Sequence, residues 1–145
     1  MTFASLFQNH LLINALTAWA AAQVLKVIIY ALANRRLDLE RLFGDGGMPS
    51  GHSATVTALA ATAGMEWGLN SAVFAVSAIL AVVVMHDARG VRRQAGKHAK
   101  AINELMAALN SDMTPEDKLQ EFLGHTPLQV FFGALTGLII AFVMK

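Results

Sequence analysis

Charged residues are scarce in this sequence, and cysteine is absent. Asp, Glu, Lys and Arg make up 14% of the 145 residues, whereas hydrophobic residues make up 55%. An average soluble domain contains about 25% charged residues, so the deficit favours a membrane protein. The absence of cysteine excludes disulfide bonds and thiolate metal sites or nucleophiles. Because the first ten residues contain neither Lys nor Arg, we also expect no cleavable signal peptide.

Long apolar runs predict an all-α membrane protein with a single transmembrane helical domain, residues 1–145. A membrane-spanning helix needs about 20 mostly apolar residues. Four stretches come close to that length and are the predicted spans: 11–33, 50–66, 70–87 and 127–144. The second and third are short, so we predict a hairpin of transmembrane helices joined by the turn 66–70. A buried hairpin in a soluble protein is the competing interpretation.

The segment between the third and fourth predicted spans, residues 89–124, is polar and charged. Within this segment, apolar residues recur at helical spacing, at Ile102, Leu105, Met106 and Leu109. The spacing predicts an amphipathic helix that lies on the membrane surface, with its apolar side toward the lipid.

Basic residues are concentrated in two of the predicted loops. Arg35, Arg36 and Arg41 follow the first span, and the segment 89–124 contains six Lys and Arg residues. The N-terminal segment and the turn between the second and third spans contain none. Cytoplasmic loops of membrane proteins carry the excess of Lys and Arg. We therefore expect an integral protein of the plasma or inner membrane, with both termini outside and both polar loops in the cytoplasm.

Two polar clusters, both placed on the cytoplasmic side by this topology, have the composition of a phosphate site. The first, Gly46–Ser53, combines glycines, a Pro-Ser helix start and His52. A helix N-terminus carries about half a positive charge and unpaired N–H donors, and glycine lets the backbone approach an anion closely. The second, His86–His98, contains three Arg, one Lys and two His. Arginine is well suited to bidentate contacts with phosphate.

These motifs resemble those of a known superfamily. Pro49-Ser50-Gly51-His52 resembles the central motif of the type 2 phosphatidic acid phosphatases and vanadium-dependent haloperoxidases. Arg92, followed after five residues by His98, resembles the last motif of that superfamily. The longer segments 46–54 and 87–96 resemble its divergent branch of small integral membrane proteins, and Leu123–Pro127 also fits that branch.

The resemblance implies a mechanism and a set of site residues. In the superfamily, the last-motif His is a nucleophile that forms a phosphohistidine, the central-motif His is the general acid, and no metal ion is needed for phosphatase chemistry. Carried over, His98 is the nucleophile and His52 the general acid. Ile102 occupies the position of the Asp that orients the superfamily nucleophile, so Asp87 is the candidate carboxylate. The implied phosphate-binding residues are Lys26, Arg35, Gly47, Ser50, Gly51, Arg89, Arg92 and Arg93.

Each of these residues also has a structural interpretation. His52 could belong to an ordinary helix start, and His98 could be a solvated residue of the amphipathic helix. Lys26 lies about two turns inside the first span, where it either snorkels to the interface or points into the bundle toward a phosphate. Asp87 is either functional, as carboxylates within membranes tend to be, or an interfacial partner of a neighbouring arginine. The arginines could also simply bind anionic lipid.

We therefore predict a membrane-embedded phosphatase-like protein that acts on a lipid phosphate or an isoprenyl (di)phosphate. A non-catalytic lipid-phosphate binding or transport protein that retains only the anion site is the first alternative. A structural membrane protein that uses its basic residues for lipid anchoring is the second. Membrane lipid and the phosphate substrate are the expected partners, and no nucleic acid, metal ion or other cofactor is expected. The Ala- and Gly-rich helices favour close packing and a homo-oligomer.

Overall fold

The protein is all-helical in the residues that the computed structural model describes, 3–42, 47–109, 118–119 and 124–145. Short 3-10 helices, Phe3–Gln8 and Leu39–Leu42, flank the first long helix. The long helices are α1, His10–Asn34; α2, Gly51–Trp67; α3, Ala72–Arg89; α4, Val91–Ala108; and α5, Pro127–Val143. The all-α prediction is confirmed for these residues, and α1, α2, α3 and α5 coincide with the four apolar runs to within a few residues.

Four of the long helices begin with a side chain that caps the first turn. Ser50 at α2 and Thr126 at α5 each accept a hydrogen bond from the N–H three residues further on. Asn9 and Ser71 do the same at α1 and α3. Their side-chain oxygens replace an acceptor that the first N–H groups of a helix lack. The predicted helix start at Pro49-Ser50 is confirmed, with Ser50 as the cap and Pro49 just outside the helix.

Helix α2 is central and contacts α1, α3 and α5. It runs antiparallel to α1, because Asn14 near the start of α1 bonds to Thr62 near the end of α2. It runs parallel to α5, because Gly133 in α5 lies against Ser50 and Gly137 lies one turn further along α2. Small side chains fill the core between these helices and let them approach closely: Ala18, Ala22, Ala54 and Ala58, with Ile140 packed against them.

Helix α4 contacts α3 and none of the other long helices in the described part of the chain. Ile102, Leu105 and Leu109, three of the residues in the predicted apolar stripe, are exposed. Asn103 pairs with the backbone of Leu119, donating to its carbonyl at 2.9 Å and accepting from its N–H at 3.1 Å. The predicted amphipathic segment therefore contains a helix, while its residues 110–117 and 120–123 lie outside the described residues.

The outer faces of α1, α3 and α5 are apolar and exposed. Two stretches are long and apolar enough to cross a membrane, His10–Asn34 and one within Ala72–Ala108, and α5 is a shorter apolar helix. Exposed apolar surface of this extent is uncommon on a soluble monomer. Large apolar side chains that are more than half exposed lie on all three helices, among them Leu16, Val24, Val76, Ile79, Val82, Phe131 and Phe142.

A buried polar pair ties α1 to α2, and its removal should destabilise the bundle. Asn14 Nδ2 donates to Thr62 Oγ1 at 3.0 Å, and both residues are almost fully buried. Thr62→Val keeps the shape of the side chain but leaves the Asn14 amide without this acceptor. Interhelical hydrogen bonds in membranes average about 0.6 kcal/mol, with a maximum near 1.7. We expect the Tm of the purified protein in detergent to fall by a few degrees, and Asn14→Leu/Thr62→Val to lose less than the sum of the single variants.

Candidate functional site

Four helices bring polar residues to one end of the bundle. The N-termini of α2 and α5 meet there, since the Ser50 N–H donates to the Gln129 carbonyl at 3.0 Å. The end of α3 joins them, since the His125 N–H donates to the Ala88 carbonyl at 2.9 Å. The C-terminal half of α1 supplies the fourth side, with Lys26 against Gly47. This shared end holds most of the residues predicted to bind phosphate.

The electrostatics of this end favour an anion. Helices α2 and α5 are parallel neighbours, so their N-termini point the same way. Each N-terminus carries roughly half a positive charge and unpaired N–H groups. Lys26 lies beside them, and only 3% of the residue is exposed. Such burial favours the interpretation in which Lys26 points into the bundle over the one in which it snorkels to the interface.

The backbone at Gly47 leaves room for the Lys26 side chain. A Cβ atom at Gly47 would lie 3.1 Å from Lys26 Cγ and 3.2 Å from its Cδ. Gly47 also has a φ of +98°, a conformation that side-chain-bearing residues rarely adopt. The glycine therefore serves both the turn before α2 and the close passage of the lysine chain.

Ser50, the N-cap of α2, and Gly51, its first residue, are both buried. The Ser50 hydroxyl is the helix cap and also accepts from the Ser53 hydroxyl at 3.1 Å. A Cβ atom at Gly51 would lie 3.3 Å from Trp19 Cδ1 and 3.8 Å from Gln23 Oε1. The Gln23 oxygen is buried and has no hydrogen-bond partner among the described residues. The sequence analysis assigned no role to Gln23, and the structure places it beside the predicted site.

His52 has a neighbour that the sequence analysis assigned no role. Its ring is half-buried, and its centroid lies 6.0 Å from that of His125, with the two rings tilted by 58°. His125 is only 3% exposed. The sequence could have indicated only that His125 lies at the N-terminus of a helix, because it comes immediately before Thr126-Pro127, where α5 starts. Nothing local indicates that this N-terminus lies next to that of α2.

The other predicted residues lie at greater distance or on the surface. His98 is exposed on α4, the helix that contacts only α3, so the described structure does not bring His98 to His52. Asp87 is half-buried in the last turn of α3, next to the residue that His125 contacts. Arg89 ends α3 and Arg35 ends α1, both exposed at the same end of the bundle. Arg92 and Arg93 lie in the first turn of α4, and their side chains are outside the described part.

Comparison with known proteins agrees with the motif resemblance. A sequence model of the divergent PAP2 family matches residues 7–140. The uncharacterized membrane protein YuiD of Bacillus subtilis (strain 168) is 44% identical over 151 aligned positions, which cover 96% of each chain. No solved structure matches the chain.

Proposed function

Because the chain belongs to the divergent PAP2 family and is a membrane protein, we propose that it binds a lipid phosphate or an isoprenyl (di)phosphate at the shared end of α1, α2, α3 and α5. One observation carries the proposal. The buried side chain of Lys26 lies beside Gly47, at the end of the bundle where the N-termini of α2 and α5 meet. A phosphate group placed there would meet the Lys26 amine, which its charge would favour in the protonated form, and the positive ends of two helix dipoles.

The same geometry supports a placement in the membrane. We propose that α1, α2, α3 and α5 cross the bilayer and that the shared end faces the cytoplasm, with both termini outside. Arg35 and Arg89 lie at this end, and cytoplasmic ends carry the basic excess. Helix α4 would then lie along the cytoplasmic surface, with exposed Ile102 and Leu105 toward the lipid. The headgroup of the substrate would enter the site while its apolar tail remains among lipid chains.

The proposed reaction is a metal-independent phosphohydrolysis through histidines. His52, in the first turn of α2, would donate a proton to the leaving oxygen. Lys26 would hold the phosphate oxygens, with Arg35, Arg89, Arg92 and Arg93 as further candidate ligands and Asp87 as the candidate carboxylate. The family resemblance assigns the nucleophile to His98, which requires α4 to approach the end of α2 when substrate binds.

A second function is favoured by the position of His98. His98 is exposed on α4, which among the described residues contacts no long helix other than α3, and this is compatible with a protein that has kept the anion site without the hydrolytic step. Such a protein would bind or transport the lipid phosphate. Both functions require Lys26 and the N-terminal end of α2. Only the hydrolase would release phosphate, so a turnover assay distinguishes the two.

Phosphate release by the purified protein in detergent tests the proposed reaction. The substrates are phosphatidic acid and the mono- and diphosphates of farnesol and undecaprenol. We expect release from at least one of them, and a loss of about 10²–10⁴-fold in His52→Ala, the usual contribution of a general acid. His10→Ala, at the opposite end of the bundle, is the control because His10 pairs there with Glu66 at 2.7 Å. Tight binding without any release would favour the non-catalytic function.

A further inference from the structure

A pair of histidines lies where α2 and α5 begin. The ring centroids of His52 and His125 are 6.0 Å apart. His125 is buried, and α3 fixes its backbone through the 2.9 Å bond from its N–H to the Ala88 carbonyl.

Gln129 determines which nitrogen of His125 carries the proton. The Gln129 Oε1 atom accepts from the Thr126 backbone N–H at 2.9 Å, as part of the capping box of α5. A backbone N–H can only donate, so the atom at this position is the amide oxygen. The same oxygen lies 3.4 Å from His125 Nδ1, and therefore Nδ1 is the donor in this long hydrogen bond. In the neutral ring the lone pair is then on Nε2, as in histidines oriented by a third group.

We propose, on the basis of the function proposed above, that His125 rather than His98 is the nucleophile that partners His52. The lone pair of His125 Nε2 attacks the phosphorus, and the bond from phosphorus to the lipid oxygen breaks as His52 protonates that oxygen. The lipid alcohol leaves and an N-phosphohistidine forms. His52 then takes a proton from water, the water oxygen attacks phosphorus, and the electron pair of the N–P bond returns to Nε2. The products are inorganic phosphate and the alcohol.

The two rings lie near enough to act on the same phosphoryl group. A nucleophile attacks from about 3–3.5 Å, and a general acid lies about 2.6–3.2 Å from the oxygen that it protonates. Together with the P–O bond between them, these distances require about 7 Å between the two reacting nitrogens, so rings with centroids 6.0 Å apart must separate slightly to flank one phosphoryl group. Lys26 and the N-termini of α2 and α5 lie at the same end, where the phosphoryl oxygens would carry their charge. Gln129 acts as a positioning residue, in place of the carboxylate that orients the superfamily nucleophile.

Trapping the covalent intermediate tests this assignment. The wild-type protein in detergent is mixed with phosphatidic acid, quenched in alkali, in which phosphohistidine survives, and digested for mass spectrometry. His125→Asn keeps a donor toward Gln129 but removes the nucleophilic nitrogen, and unfolding curves confirm that it folds. We expect a phosphoryl group on the peptide containing His125 in the wild type. We expect His125→Asn to lose up to about 10⁶-fold in kcat, the order of magnitude for removal of a covalent nucleophile. His86→Ala, an exposed histidine of α3, is the control.

Each outcome decides a different point. A phosphoryl group on His98, or an active His125→Asn, overturns the assignment and leaves the proposed function standing. Binding of phosphatidic acid without any phosphohistidine overturns a nucleophilic role for either residue. If wild type binds none of the phosphates, the proposed function fails and this inference fails with it.

Gln129→Glu, which keeps the capping acceptor, should retain activity, and Gln129→Leu should lower kcat with KM nearly unchanged.

Discussion

Lys26→Met should abolish most of the affinity for phosphate while the protein still folds. A hydrogen bond to a charged group contributes about 1.5–3 kcal/mol, which corresponds to a loss of roughly 10–150-fold in affinity. Methionine keeps an unbranched chain of similar length, so the packing against Gly47 is preserved. The measurement is the Kd for short-chain phosphatidic acid by calorimetry in detergent, beside an unfolding curve of the same sample.

Lys100→Met is the matched control for Lys26→Met. Lys100 is exposed on α4 and lies 3.7 Å from Glu104, a contact between exposed groups that contributes little to stability. We expect its Kd for phosphatidic acid to equal that of the wild type. An equal loss in both variants would mean that net positive charge, and not the buried position of Lys26, governs binding. An unchanged Kd in Lys26→Met would remove Lys26 from the site.

Gly137→Ala should destabilise the protein strongly, although alanine is the better helix former. Replacing glycine by alanine in a helix gains about 0.8–1.0 kcal/mol in propensity. However, a Cβ atom at Gly137 would clash with the carbonyl group of Ala54, and one at Gly133 with the carbonyl of Ser50. Backbone atoms cannot rotate away as a side chain can, so α5 must separate from α2. Overpacking of this kind costs typically about 1–3 kcal/mol, and we expect the net loss to exceed the gain in propensity.

Gly64→Ala is the comparison variant for Gly137→Ala, because an added Cβ atom at Gly64 would meet side chains, whereas one at Gly137 would meet the backbone. A Cβ atom at Gly64 would lie 3.0 Å from Leu69 Cδ2 and 3.1 Å from Phe74 Cδ2, which are atoms of side chains that can move. We expect the free energy of unfolding in detergent to fall more in Gly137→Ala and Gly133→Ala than in Gly64→Ala. Gly133→Ala should also weaken phosphate binding, because Gly133 contacts the first turn of α2. Equal losses at all three glycines would contradict the parallel packing of α2 and α5.

The positions of the helices could be predicted from sequence because their signals are local. Apolar runs mark α1, α2, α3 and α5, and the capping residues Ser50 and Thr126 mark two of the starts. The Ala- and Gly-rich helices also predicted close packing, but the sequence did not show which helix each of them would pack against. Gly133 and Gly137 contact α2 of the same chain, so this part of the small-residue surface is used within the bundle. Self-association is still a prediction.

The histidine pair depends on long-range packing that the sequence does not show. His52 and His125 are 73 positions apart by number, and they meet only because α2 and α5 are parallel neighbours. His98 was expected near His52 because two basic and polar clusters share a membrane face. Two residues on the same membrane face can still be far apart within that face. The distance from His98 to His52 depends on how α4 packs, and α4 contacts only α3 in the described structure.

The most direct test of the central claim is to map where the phosphate headgroup binds. The amide signals of ¹⁵N-labelled protein in micelles would be followed during titration with short-chain phosphatidic acid, with the matching diacylglycerol as reference. Phosphate-dependent shifts should appear at Gly47, Gly51 and His52 and at the start of α5, with none at the opposite turn, residues 68–70. Shifts confined to the exposed basic residues of α4, or clustered at residues 68–70, would contradict a phosphate site at the shared end of α2 and α5.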